Sequence, residues 1–116
     1  MSYVDGFVIP VPKSKIAAYK KMAKLGAKIW REYGALDYYE CVGDDLNIQG
    51  VTSFEKFAKL KSDETVIFAW IVYKSKAHRN QVNKKVMQDP RMQSCQEMPF
   101  SPKRMTVGGF KVLVKG

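Results

Sequence analysis

Residues 64–92 read ETVIFAWIVYKSKAHRNQVNKKVMQDPRM, from Glu64 to Met92. Val66, Phe68, Trp70 and Val72 alternate here with Ile67, Ala69, Ile71 and Tyr73, so both sets are apolar. A half-buried strand alternates apolar with polar, whereas a strand apolar on both sets is covered on both faces. The β-branched and aromatic content favours strand over buried helix. The run is too short for a membrane span, which takes about 20 apolar residues as a helix. Ser75 then offers a hydroxyl to the free N–H groups of a first helical turn. The spacing predicts a helix over Lys76 to Gln88, ended at Asp89-Pro90 because proline lacks the N–H and clashes with the preceding turn. Val82 and Val86, extended by Ala77 and Met87, form its apolar stripe. Arg79 and Asn83 stand at i, i+4 beside that stripe. They read either as an arginine lying along its own stem with an asparagine bonded to backbone, or as the polar edge of a cleft.

Upstream, Tyr3 to Val11 (YVDGFVIPV) reads as a first strand with Tyr3, Asp5, Phe7 and Ile9 on one side. Burying a lone carboxylate is costly, so Asp5 is expected to be paired, hydrated or at a sheet end. Pro10 marks the strand's end or an edge position, since a ladder there would miss its N–H. Pro12 to Tyr33 is the longest predicted helix, with Ile16, Tyr19, Ala23, Gly26, Trp30 and Tyr33 on one stripe and lysines on the opposite arc. Gly26 costs roughly 1 kcal/mol against alanine in a helix, so its place on the buried stripe predicts a close backbone approach. Gly34 suits the residue just past the helix end.

Ala35 to Val42 is the second predicted strand, with Leu36, Tyr38, Glu40 and Val42 on one side and Asp37, Tyr39 and Cys41 on the other. Gly43-Asp44-Asp45 opens a long connection. Within it Thr52 to Leu60 reads as a short helix capped by Ser53, with Phe54, Phe57 and Ala58 turned inward, or else as a short strand. After Met92 a loop leads to the last strand, Met105 to Val114, whose Gly108-Gly109 pair predicts a bulge or a tight approach of another chain. No helix follows that pair, so it is not a phosphate-binding loop.

The order β-α-β-β-α-β, with right-handed crossovers, gives an α+β protein. It is a ferredoxin-like four-stranded antiparallel sheet with both helices on one face. Two helices cover one face only, while the third strand is apolar on both. Each large apolar side chain left in water forfeits about 1.5–3 kcal/mol. A second copy packed sheet against sheet, in a twofold homodimer, is the expected cover.

The 116 residues suffice for one domain. No charged-then-apolar leader and no spanning stretch stands in the sequence, so a cytoplasmic protein is expected. Cys41 and Cys95 are then expected as reduced thiols. No metal-ligand spacing is present, and Asp44-Asp45 lacks further oxygen ligands; neither metal nor cofactor is expected. His78, the single histidine, is expected to be solvated. Twenty basic against 11 acidic residues, many of the lysines on the first helix, make a field that attracts anions without specifying one. The sheet face that would stack bases is the one expected to be buried in the dimer, which argues against nucleic acid as the partner.

Particular residues run through the whole chain: YVDGF at Tyr3 to Phe7, YGAL at Tyr33 to Leu36, Glu40-Cys41, Gly43-Asp44-Asp45 and FAW at Phe68 to Trp70. They continue in Ser75-Lys76, Arg79, Asn83, DPRM at Asp89 to Met92, MPF at Met98 to Phe100, KRM at Lys103 to Met105 and GGF at Gly108 to Phe110. On these residues the chain resembles the YbaA-like family of small bacterial proteins, a domain of unknown function. That family is similar to the dimeric α+β barrel superfamily, which includes small monooxygenases, haem-degrading enzymes, dehalogenases and isomerases. The resemblance implies a dimer and a pocket between sheet and helices; it carries no particular chemistry. Haem-degrading relatives place a ligand histidine late in the second helix, where this chain has none. A small-molecule pocket is the leading expectation, with cofactor-free catalysis as one use of it. Its lining would be Phe7, Tyr38, Trp70 and Phe100, with Asp5, Glu40, Arg79, Asn83, Arg91 and Arg104 as polar candidates. Asp5 and Glu40 could instead pair with those arginines to fix the dimer. The competing functions are a non-catalytic dimeric interaction or sensor module, and weak RNA binding through the lysine-rich first helix.

Overall fold

The computed structural model describes residues 2–93 and 98–116; Cys95 lies outside them. The elements are β1 (Tyr3–Pro12), α1 (Ile16–Glu32), β2 (Asp37–Val42), α2 (Phe54–Phe57), β3 (Glu64–Tyr73), α3 (Lys76–Gln88), α4 (Pro90–Gln93) and β4 (Thr106–Lys111). The strands form one antiparallel sheet in the order β2-β3-β1-β4. The apolar β3 is therefore central, with Ile67, Ala69, Ile71 and Tyr73 buried on its helix-facing side. α3 starts as predicted, with the Ser75 hydroxyl accepting from the His78 N–H at 3.1 Å. Ile29 of α1, Val82 and Val86 of α3, and Ile71 and Tyr73 of β3 join into one core. Ile9, Val11, Tyr19, Ile67 and Ala69 form a second core beside it. No helix among the described residues is long and apolar enough to cross a membrane.

Two expectations are corrected by the sheet, and the reading of Pro10 is narrowed to its edge alternative. β4 ends at Lys111 rather than Val114, because its partner β1 starts at Tyr3; beyond it only Val112 N–H reaches back, to Ser2 O at 3.2 Å. The Gly108-Gly109 pair makes no bulge, since Asp5↔Gly109 and Gly6↔Gly108 keep the register unbroken. Pro10 does not end β1, which runs on to Pro12 beside β3. It is tolerated because the β4 pairing stops at Val8↔Thr106, leaving β1 locally an edge.

The face away from α1 and α3 carries Phe68 and Trp70 of β3, Tyr39 and Cys41 of β2, and Phe110 of β4. Tyr39 stacks on Trp70 with ring centroids 5.1 Å apart, Phe68 lies 5.7 Å from Trp70, and Phe54 of α2 lies 5.9 Å from Phe68. α2 is capped by Ser53 as expected, its hydroxyl accepting from Lys56 N–H at 3.1 Å. Phe54 and Phe57 are not turned into a core, however; both are exposed, and Phe54 extends the aromatic row of this open face.

At the far end of the helices, Asp89 is buried and accepts from Tyr33 Oη at 2.8 Å and from Arg91 Nε at 3.0 Å. Arg91 also donates to Glu32 at 3.0 Å, so the ends of α1 and α3 are tied together. The hydrogen bonds from Arg91 hold the Asp89 carboxyl well below the usual carboxylate range. Its folded pKa lies below the unfolded value of about 3.9. The stabilisation is thus complete above about pH 4 and is lost as pH falls towards the folded value. In urea titrations, Asp89→Asn should have the lower midpoint at pH 7 and show a smaller further drop on going from pH 5 to pH 2.5. A parallel drop in both proteins would remove Asp89 as a source of the acid sensitivity.

Candidate functional site

A cavity of about 460 Å³ lies between the helix-facing side of the sheet and the two long helices. The register decides which side chains reach it. Tyr38, Ile71, Asp5 and Gly109 stand abreast across the four strands, and Glu40, Ala69, Phe7 and Val107 form the next row. Tyr19, Met22, Gly26 and Trp30 of α1 and Arg79, Asn83 and Met87 of α3 form the opposite wall. Met98, Phe100 and Met105 also line it. The walls are chiefly aromatic rings and thioethers, which adapt to a range of apolar shapes.

Two polar groupings stand in this apolar surround. In the first, Asp5 is buried and receives Arg79 Nε at 3.1 Å and Asn83 Nδ2 at 3.3 Å. The Asn83 Oδ1 in turn accepts from Trp30 Nε1 at 3.0 Å and from Tyr73 Oη at 3.1 Å. Arg79 also donates to Asn80 Oδ1 at 2.8 Å and lies over the Tyr3 ring at 5.0 Å. Asp5 and Arg79 thus pair with each other, and both line the cavity. Asn83 is bonded to side chains rather than to backbone. Gly109 makes room for this grouping, because a Cβ there would sit 2.3 Å from Tyr3 Oη and 2.4 Å from Arg79 Nη2. The tight approach at Gly109 is thus made by side chains of the same chain, where another chain was expected.

The second grouping is Glu40 with two phenols. Tyr19 donates to Oε1, and Tyr38 donates to Oε2 at 2.6 Å. Burial, and then the hydrogen bond and charge of Glu40, push the Tyr19 hydroxyl well above its ordinary pKa. Burial followed by the Glu40 charge does the same for Tyr38. Both remain protonated donors at neutral pH. Gly26 faces this pair, since a Cβ there would sit 2.9 Å from Tyr38 Oη; the close approach at Gly26 is made by the Tyr38 side chain and not, as expected, by backbone. Among the described residues Glu40 forms no ion pair with an arginine of its own chain. With strands about 4.8 Å apart and about 3.4 Å per residue along them, the Cα atoms of Glu40 and Asp5 lie about 12 Å apart on one sheet face.

The structure thus brings Asp5, Tyr38, Glu40, Arg79 and Asn83 to one cavity, with Phe7 and Phe100 among its walls. It places three other candidates elsewhere. Trp70 belongs to the alternate set of β3 that points to the open face, where it stacks on Tyr39. Arg91 bonds Asp89 and Glu32 at the helix ends. Arg104 bonds Glu64 and donates to Lys59 O at 2.7 Å, pinning the start of β3 to the loop before it. His78 is not simply solvated; its Nδ1 accepts from Lys74 N–H at 3.0 Å and steadies the turn into α3. Tyr19 is the site residue that sequence reasoning assigned to the core. A buried tyrosine needs a partner for its hydroxyl, and Glu40 on a neighbouring strand was the available acceptor. Among the described residues, no three His, Cys, Asp or Glu side chains come together as a metal site would need.

This sheet order, with two long helices on one face, defines a ferredoxin-like α+β protein, with a cavity left between its layers. The chain belongs to the family described as "Protein of unknown function (DUF1428)", which it matches over residues 2–102. It is 45% identical over 115 residues to the uncharacterized protein YbaA of Escherichia coli K12, covering 98% of each chain. The YbaA of Shigella flexneri matches to the same extent. Among solved structures, a dimeric ferredoxin-like protein from an uncultured marine organism aligns over all of both chains with a TM-score of 0.57 at 13% identity. An uncharacterized NIPSNAP domain protein from Burkholderia xenovorans aligns with a TM-score of 0.54 at 14% identity, over 95% of this chain and 93% of its own. At such identities the likeness speaks for the fold and not for a reaction.

Proposed function

We propose that the protein is a homodimer that binds a small, largely apolar organic molecule in the cavity between sheet and helices. The observation carrying this reading is a 460 Å³ space walled by aromatic and methionine side chains around the doubly hydrogen-bonded Glu40. Ligand pockets are commonly about 300–1,000 Å³, apolar, with a few placed polar groups. The carboxylate is also the group positioned to take a proton from a bound molecule, so cofactor-free proton transfer is the chemistry such a site would support. Pairing through the open aromatic face is favoured by the exposure of Tyr39, Phe68 and Phe110 there. It is favoured too by the dimeric description of a protein with the same fold.

The test uses 1-aminoanthracene, a neutral fluorescent probe of apolar cavities. Val107 lines the cavity from β4 and is itself half exposed, so Val107→Trp should fill the space without disturbing either polar grouping. The wild type should bind the probe in the micromolar range and the variant at least tenfold more weakly. Equal binding by both proteins, or none by the wild type, would remove the pocket.

A further inference from the structure

Resting on that pocket reading, we infer that the ligand is an organic cation: a hydrophobic amine whose ammonium group sits on Glu40. Of the side chains lining the cavity that carry charge at neutral pH, Asp5 and Glu40 are negative and Arg79 is positive. Arg79 is spent, with Nε on Asp5, Nη1 on Asn80 and Nη2 on Tyr3, and its charge is offset by Asp5. What remains is the Glu40 carboxylate, which no lysine or arginine reaches among the described residues. In a chain of net charge +9, with 20 basic side chains to draw on, the cavity keeps an anionic pole.

That pole is unfinished. A carboxylate offers about four acceptor positions, and the two phenols occupy one on each oxygen. Both phenol O–H groups are already directed at Glu40, so the grouping as it stands accepts from a ligand rather than donating to it. The rings around it suit a cation. Tyr19 is paired edge-on with Phe100 at 5.8 Å, and Trp30 lies tilted against Tyr38 at 6.0 Å. Each tyrosine that holds Glu40 is thus backed by another aromatic ring lining the same cavity. Aromatic faces attract ammonium groups through their quadrupole, most strongly where water is excluded. A carboxylate in a cluster of four rings is a site for positive charge carried on an apolar body. The lysine field outside lies on the solvent face of α1, where about 8 Å of physiological salt solution screens it.

The experiment compares three molecules of one skeleton: 4-phenylbutylamine, 4-phenylbutanol and 4-phenylbutyrate, each displacing 1-aminoanthracene at pH 7. The amine should bind at least tenfold tighter than the alcohol, and the carboxylate more weakly than either. In Glu40→Gln the preference for amine over alcohol should shrink to threefold or less. If the alcohol or the carboxylate matches the amine on the wild type, the charge assignment is wrong while the pocket stands. If none of the three displaces the probe and the probe itself does not bind, pocket and charge assignment fall together. The wild-type ranking decides the matter even where the variant does not fold.

Discussion

Replacing Asn83 by alanine is expected to lower the unfolding free energy by about 3 kcal/mol, because each of three partners loses a bond worth about 1 kcal/mol or more when left unsatisfied. Those partners are Trp30 Nε1, Tyr73 Oη and Asp5 Oδ2. They come from α1, β3 and β1, so one amide side chain on α3 joins both helices to the centre of the sheet. Tyr73 is fully buried and has no route to bulk water, so its hydroxyl bears the loss most directly. Trp30 and Asp5 face the cavity, where water can replace part of what is lost. That keeps the expected value near the sum of the net bonds rather than several times it. Tyr73→Phe removes only one of the bonds and should cost about 1 kcal/mol. Urea unfolding of the two variants at pH 7 checks the ratio. A loss below about 1 kcal/mol for Asn83→Ala would mean the network is solvated in solution and contributes little to the fold.

The same residues show what could be read before the structure and what could not. β3 announced its central place because both of its alternating sets are apolar, and the order of elements left few ways to arrange four strands. Arg79 and Asn83 were visible as polar groups where a helix packed only on hydrocarbon would have none, and Asp5 as an acid in an apolar strand. Their meeting required the Asp5↔Ile71 pairing, which brings the acid under α3. Trp70 was misplaced for a related reason. A large aromatic suits a pocket wall and an interface equally well, and its identity outweighed its place in the alternation with Ile71 and Tyr73. Arg91 and Arg104 were drawn towards the pocket by charge alone. The sequence held nearer partners, Asp89 two residues away and Glu64 at the start of β3, and the fold used them. Tyr19 and Glu40, 21 positions apart on different elements, have no local signal that pairs them.

Phe68→Glu should weaken self-association at least a hundredfold, so that sedimentation at micromolar concentration finds the wild type as two copies and the variant as one. Phe68 is 44% exposed in the single chain, in the middle of a row running Tyr39, Trp70, Phe68, Phe54. Truncating an aromatic at the centre of an interface costs about 2 kcal/mol or more, roughly 30-fold in affinity. The substitution goes beyond truncation by placing a carboxylate where water is to be excluded, and twofold symmetry brings it in twice. A second readout follows from the register, since Cys41 pairs with Phe68 across β2 and β3 and is exposed in the single chain. In a Cys95→Ser background its thiol should react slowly with an aromatic disulfide reagent in the wild type and quickly in Phe68→Glu. A wild type that sediments as a well-folded single copy with a fast-reacting Cys41 would show that the aromatic face is stable in water. The double-sided apolar pattern of β3 would then owe nothing to a second subunit.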